Sequence, residues 1–291
     1  VDAASAVRLL LGAQPAVLPS AVFVPLAAAE PGPVAAVDGS HAVLVDNGSV
    51  WVVATRAAAV TWPGPSLAAE PEIHAAKAQE AQDGISAAYL AHGLDPPRAA
   101  TATAWAEAWR ALREFEAAQS AIASAPPAGI VLLDGALVGL PPGAQQMADC
   151  LQKLATGHGV RLMAVAKRSA LERDGVPLVP HLHGVGPAGP WRAEVEPGVH
   201  VAKLHPLAPH AFRVDAGEPD WVAALVPLSR DAVYVGYPYP LAVAHNRVAL
   251  TAGTVAELRM RLAQAARSEG GAAGARLLAD FHATLDRNVP G

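Results

Sequence analysis

Two short apolar runs in this sequence end in the same pair of residues. Val34-Ala35-Ala36-Val37 leads into Asp38-Gly39, and Ile130-Val131-Leu132-Leu133 leads into Asp134-Gly135. Such a run reads as a buried strand, so each aspartate falls where a strand gives way to a turn. Neighbouring strand ends can bring two carboxylates within a few ångströms. Unit charges ~4 Å apart repel by about 4 kcal/mol at an effective dielectric of 20. A bare pair must therefore hold a proton or recruit a cation. Oxygen ligands suit Mg2+ or Mn2+, which keep several waters and also bind phosphate. The glycine after each aspartate leaves room for a close approach. A single Asp-Gly is the ordinary end of a strand; the repeated device is the more specific signal.

The elements that must position these residues follow from the pattern. After Asp38-Gly39, residues 41–45 and 50–60 predict two more strands around the turn Asp46-Asn47-Gly48-Ser49. Residues 70–92 predict a helix. A second helix is expected over 103–124, where Ala104, Ala108, Leu112, Phe115, Ala118 and Ile122 recur at helical period. It carries Glu114 and Glu116 on opposite edges of the Phe115 stripe. A helix with Met147, Cys150, Leu151 and Leu154 stops near Gly157, and a buried strand over 160–166 ends in Lys167-Arg168. Residues 172–232 resist assignment, with strands expected near 199–204, 210–215 and 221–227. A helix with Ala244, His245 and Val248 follows Tyr237. Thr254 to Glu257 predicts a capping box, and Leu277, Leu278, Phe281 and Leu285 predict a last helix.

The bulk composition narrows the function classes. Of 291 residues, 52% are hydrophobic and 16% charged, which excludes long disordered regions. No apolar run approaches the ~20 residues of a membrane span, and no basic segment precedes an apolar run as in a signal peptide. The single cysteine, Cys150, excludes an intrachain disulfide and suits a reducing cytoplasm. No GxxxxGK[ST] loop or GxSxG elbow is present, so neither ATP hydrolysis nor serine-hydrolase chemistry is expected. His181, His183, His200, His205 and His210 lack tight ligand spacing and read as structural or surface histidines. The net charge of −5 argues against strong unaided capture of nucleic acid. Of 21 basic residues 17 are arginine; Arg161, Lys167, Arg168 and Arg173 cluster in sequence and Arg247 closely follows His245, together a candidate basic groove.

Four segments, taken in order, carry a resemblance. They are Val37-Asp38-Gly39-Ser40, Leu132-Leu133-Asp134-Gly135-Ala136-Leu137, Ala164-Val165-Ala166-Lys167-Arg168-Ser169, and Tyr237-Pro238-Tyr239-Pro240-Leu241 with Ala244-His245. Together they resemble the successive motifs of the NurA family of DNA double-strand-break repair nucleases, over about Val34 to Ala249. Ala136 departs from a position where that family often has serine. The resemblance implies an α/β fold with a ribonuclease H-like core, a mixed sheet with flanking helices. Residues 1–30 would form an N-terminal arm for dimer or partner contact, and residues 31–291 the nuclease domain with C-terminal helices.

It further implies Mn2+-dependent cleavage of DNA; by their chemistry the paired carboxylates suit two Mn2+ or Mg2+ ions. The implied activities are a 5′→3′ exonuclease and a single-strand endonuclease, acting in end resection. Implied partners are single-stranded DNA and duplex ends, a second copy of the chain, and a HerA-like hexameric ATPase; cytoplasmic, nucleoid-associated placement follows. Asp38, Asp134 and His245 match the family's metal-binding positions, with Tyr237 as its tyrosine. The resemblance favours Glu114 over Glu116 as the helical glutamate, a choice periodicity cannot make. Asp38 would bridge the ions. His245 would bind the second metal or carry a proton, Tyr237 would orient a phosphate or stack on a base, and Lys167 and Arg168 would neutralise phosphate. The competing reading is a non-catalytic DNA-binding or scaffold subunit of a motor ATPase.

Overall fold

The computed structural model describes residues 22–64 and 69–277. Its centre is a mixed sheet. In chain order the strands are β1 (Val24–Pro25), β2 (Val34–Asp46), β3 (Val50–Trp62), β4 (Glu72–Lys77), β5 (Ile130–Asp134), β6 (Arg161–Ala166), β9 (Trp191–Glu196), β10 (Val199–Lys203) and β11 (Phe212–Ala216). They lie in the order β1-β9-β10-β11-β6-β5-β2-β3-β4, while β7 (Glu172–Arg173) and β8 (Val176–Pro177) form a separate small hairpin. β2, β5 and β6 run parallel; the flanking pairs are antiparallel. Helices α1 (Ala81–Ala91), α2 (Ala102–Ser124) and α3 (Pro142–His158) cover one face. Helices α5 (Leu225–Leu228) and α6 (Tyr239–Val248) cover the other. A short α4 (Leu178–Val185) packs near β10, and α7 (Ala252–Leu277), kinked at Gly271, lays Val255, Leu258 and Leu262 of its first part against the β2–β3 hairpin. This is the ribonuclease H-like α/β architecture.

Sequence and packing explain why α2 is the anchor of its layer. Thr101 caps it by accepting from the Ala104 amide. Trp105, Leu112, Phe115 and Ile122, all nearly unexposed, form the stripe that seats it on β2 and β3. Each such side chain contributes roughly 1.5–3 kcal/mol by leaving water. α3 starts at Pro142 and ends at Gly159, whose φ of 66° supplies the left-handed cap two residues beyond the expected stop.

Several expected boundaries shift. The chain does not end a strand at Asp38: β2 runs unbroken for 13 residues and pairs with β3 along its length. Residues 72–77 are an edge strand rather than helix, because β3 offers an unpaired edge there. The run at 221–227 is helical, a 3-10 turn (Pro219–Ala224) leading into α5, since Pro219 sets up a helical start. α7 is capped by Thr251, which accepts from Thr254, not by a box at Thr254. Val255, Leu258 and Leu262 do face inward as expected. Most of the expected arm, residues 1–21, and the last helix beyond 277 lie outside the described residues. Of the remainder of that arm, β1 pairs with β9 at the sheet edge. Among the described residues, no helix is long and apolar enough to cross a membrane.

Candidate metal centre

The sheet register itself brings the two aspartates together. The parallel pairing of β2 with β5 ends at Val37↔Leu133. Asp38 and Asp134 are the next residues on each strand, so they stand side by side on one face. β3 continues alongside β2 past this point, which is why Asp38 is buried in mid-strand, only 7% exposed, while Asp134 closes β5 at 18%.

His245 reaches the same place from α6 on that face. Its Nδ1 lies 2.8 Å from Asp38 Oδ2, and its ring is 56% exposed. The other Asp38 oxygen accepts from the Gly39 amide at 2.7 Å. Asp38, Asp134 and His245 each present a ligand atom within 4.8 Å of the others, a group able to coordinate one metal ion. Burial first, and then the Asp134 charge, push the Asp38 carboxyl above the ordinary carboxylate range. Lys167 Nζ sits 2.6 Å from Asp134 Oδ2 and also 5.2 Å above the Tyr237 ring. Lys167 is thus the counter-charge of Asp134, and the His245 ring is the hydrogen-bond partner of Asp38. This donor set, two crowded carboxylates and one imidazole, fits a hard divalent cation.

Tyr237 is buried below these carboxylates, packed beside Phe212. Its hydroxyl is buried without a hydrogen-bond partner. Burial, followed by the negative charges of Asp134 and Asp38, raises its pKa well beyond the usual phenol range. An unpartnered buried donor beside two acids is costly unless something accepts from it.

Glu114 arrives from the opposite face, on α2. It approaches because residue 39 has no side chain: a Cβ there would lie 2.6 Å from Glu114 Cγ and 2.7 Å from its Oε1. Its Oε2 is held by Arg110 at 2.5 Å, one turn earlier on the same helix. Burial raises its pKa to about 7; Arg110 works against this, and Asp38 and Asp134 add to it. Glu114 is near the cluster but is not among the three ligands that converge. Glu116 points elsewhere, paired with His92 at 2.9 Å and Arg113 at 2.6 Å.

Two predictions arise from this geometry. Gly39→Ala should displace the flexible Glu114 side chain while leaving the extended backbone unstrained. The expected result is a near-native melting temperature with Mn2+ affinity reduced about 10–100-fold, the usual scale for disturbing a group beside a metal. Unchanged Mn2+ affinity would show that Glu114 does not need its place over Gly39. The second concerns pH. A carboxyl whose folded pKa is raised favours the folded state below its unfolded value, and this contribution is lost as pH rises through the folded value. The metal-free protein should therefore lose stability between the ordinary glutamate range and about pH 7. Thermal melts of wild type and Glu114→Gln across this range check it: the variant's slope should be flatter, and equal slopes would contradict the assignment.

The loop after Asp134 is held by residues the sequence did not single out. Asp215 Oδ2 accepts from the Leu137 amide at 2.7 Å and the Val138 amide at 3.1 Å. Arg213 grips the same carboxylate through Nε and a terminal nitrogen, at 2.7 and 2.8 Å, and donates to the Val138 carbonyl at 2.5 Å. Gln145 on α3 donates to the Leu137 carbonyl. Nothing in Phe212-Arg213-Val214-Asp215 marks this role; it emerges only when β11 is placed beside β6.

The expected basic groove does not form as a unit. Arg161 begins β6, at the end opposite Lys167, and binds the Ala128 and Pro31 carbonyls. Arg173 binds the Val195 carbonyl. Arg168 is exposed beside Lys167. Among the described residues, His181, His183, His200, His205 and His210 belong to no metal-ligating group, and Cys150 is half-buried against the core.

The sequence matches no family model and no curated protein. Among solved structures, the fold is similar to that of the NurA nuclease from Sulfolobus solfataricus, with a TM-score of 0.51 at 15% identity over 86% of this chain and 87% of that one. It is similar to a further NurA structure, with a TM-score of 0.57 at 11% identity over 86% and 92% of the two chains. NurA bound to dAMP and manganese gives a TM-score of 0.54 at 11% identity over 90% and 92%. At such identities the likeness is one of fold.

Proposed function

We propose that this chain is a metal-dependent DNA nuclease. The observation that carries the reading is the convergence of Asp38, Asp134 and His245 at the point where parallel pairing of β2 and β5 ends. The NurA-like fold supports it, and the manganese named for one of those structures suggests the cation. Asp38 and Asp134 would hold the first ion with His245. Glu114, turned away from Arg110, would complete a site for a second. When bound, the cations would polarise the scissile phosphate and lower the pKa of a water.

The chain's own residues have distinct tasks. His245 would hold a metal beside Asp38 or carry a proton. Lys167, which pairs with Asp134 in the protein alone, would meet a phosphate oxygen, with Arg168 next to it. The Tyr237 hydroxyl gains in substrate the acceptor it lacks in the protein alone. Glu114 rather than Glu116 serves the centre, since Glu116 is committed to His92 and Arg113.

The finer reading follows the family resemblance: 5′→3′ exonuclease and single-strand endonuclease activity in end resection. Residues 1–30 act as an arm contacting a second copy or a HerA-like hexameric ATPase, with residues 31–291 as the nuclease domain. A negative chain that captures duplex weakly gains from a motor that delivers DNA to it. The test is cleavage of end-labelled single- and double-stranded DNA in Mn2+, Mg2+ or EDTA. Cleavage that needs a divalent cation is expected. Binding without cleavage under every cation would replace the nuclease with a scaffold.

A further inference from the structure

Beside the metal centre, between α2 and α3, lies an open-mouthed cavity of about 190 Å³. Its walls are apolar: Phe115 from α2, Met147 and Leu151 from α3, and Leu137 and Leu140 from the loop between β5 and α3. Its charged lining residues are Arg110, Glu114 and Asp134. The cavity therefore shares one aspartate with the metal cluster, and a second acid that stands over Gly39.

Size, chemistry and position together restrict the occupant. An apolar cavity of ~150 Å³ is enough to take up a benzene-sized ring. This one is somewhat larger, so a single aromatic ring system fits and a whole nucleotide does not. Apolar walls with a few polar groups favour a flat ring that carries donors and acceptors on its edge. Arg110 spends one nitrogen on Glu114 and keeps further donors for such an edge. The loop wall is fixed by the Asp215 and Arg213 contacts to Leu137 and Val138, so this side of the cavity is preorganised.

We propose that this cavity is a nucleobase subsite, taking the unstacked base of the nucleotide next to the phosphate held at Asp38 and Asp134. The inference rests on the nuclease reading and adds substrate choice to it. A base can enter only if it leaves its stack and its pairing partner, which costs least in single-stranded DNA. The subsite thus selects single strands and frayed ends, without reading a long sequence. Its contribution is that of one base packed against apolar walls, and its loss should weaken binding by about tenfold or more.

The experiment uses fluorescence anisotropy with a labelled single-stranded oligonucleotide in Ca2+ buffer. An abasic nucleotide is walked along the strand. Wild type should lose about tenfold in affinity when the gap falls at one position. Ala144→Trp places a bulky ring at the exposed mouth of the cavity, on the first turn of α3 and outside the core. It should bind the intact and abasic strands equally, and as weakly as wild type binds the abasic one. Its Mn2+ affinity should match wild type, which separates the subsite from the metal centre. Equal wild-type affinity for every abasic strand, or unchanged discrimination in Ala144→Trp, overturns the proposal. Cleavage in Mn2+ is scored in parallel. Base discrimination without cleavage would sink the nuclease reading and leave the subsite; cleavage without discrimination would do the reverse.

Discussion

Asp38→Ala and Asp134→Ala are each expected to reduce Mn2+-dependent DNA cleavage by roughly 10³-fold or more, while the protein stays folded. The size follows from the several kcal/mol that a bound Lewis acid supplies, at a factor of ten per ~1.4 kcal/mol. Neither side chain belongs to the apolar core. Asp38 is buried and crowded by Asp134, and burial and that neighbouring charge both disfavour its ionised form. Removing either charge relieves that repulsion, so thermal stability in metal-free buffer should be equal to or higher than wild type. Asp134→Ala also frees Lys167 from its pair, which at 39% exposure is solvated at little cost. End-labelled cleavage assays beside thermal melts check both halves. A variant with wild-type stability and near-wild-type cleavage would remove these residues from the site.

What made this site legible was the repeated Asp-Gly device, and what remained illegible was its setting. Four apolar residues before each aspartate told where the strands lay, and the sheet register did pair Val37 with Leu133. The sequence alone could not show that β3 runs on past the end of β5, because a strand's length depends on its partners. Asp38 therefore sits in mid-strand instead of at a strand end. Glu72-Ile73-His74-Ala75 has residues that suit a helix, yet hydrogen bonding to β3 overrides local preference. Periodicity could not separate the two helical glutamates, because what places them lies outside their helix: Gly39, with no side chain, leaves the gap over which Glu114 stands, while Glu116 turns to Arg113. In the run at 172–232, the strands expected near 199–204 and 210–215 correspond to β10 and β11, whereas β9, which pairs with β10 through a register shift, was not expected.

Asp215→Ala carries the largest expected effect on stability. The carboxylate is 1% exposed, gripped by Arg213 and capped by two backbone amides. Without it, the Arg213 guanidinium loses its buried counter-charge and both amides lose their acceptor. Breaking one side of such a buried pair costs about 3–5 kcal/mol. At ~2–4 °C per kcal/mol, the melting temperature should fall by roughly 10 °C. Asp215→Asn keeps an acceptor for the amides but not the charge, so it should fall between the two. The loop it fixes begins directly after Asp134, so Mn2+ affinity should weaken along with stability. A melting temperature within ~2 °C of wild type would show that the Arg213–Asp215 pair is not what holds this loop.

The most direct test of the metal centre is an anomalous-difference map at the manganese edge from crystals soaked in Mn2+. A peak is expected between Asp38 and Asp134, within ligand distance of both carboxylates and of the His245 ring, with Lys167 moved off Asp134. A map with manganese bound elsewhere on the protein and no peak between these two aspartates would contradict it.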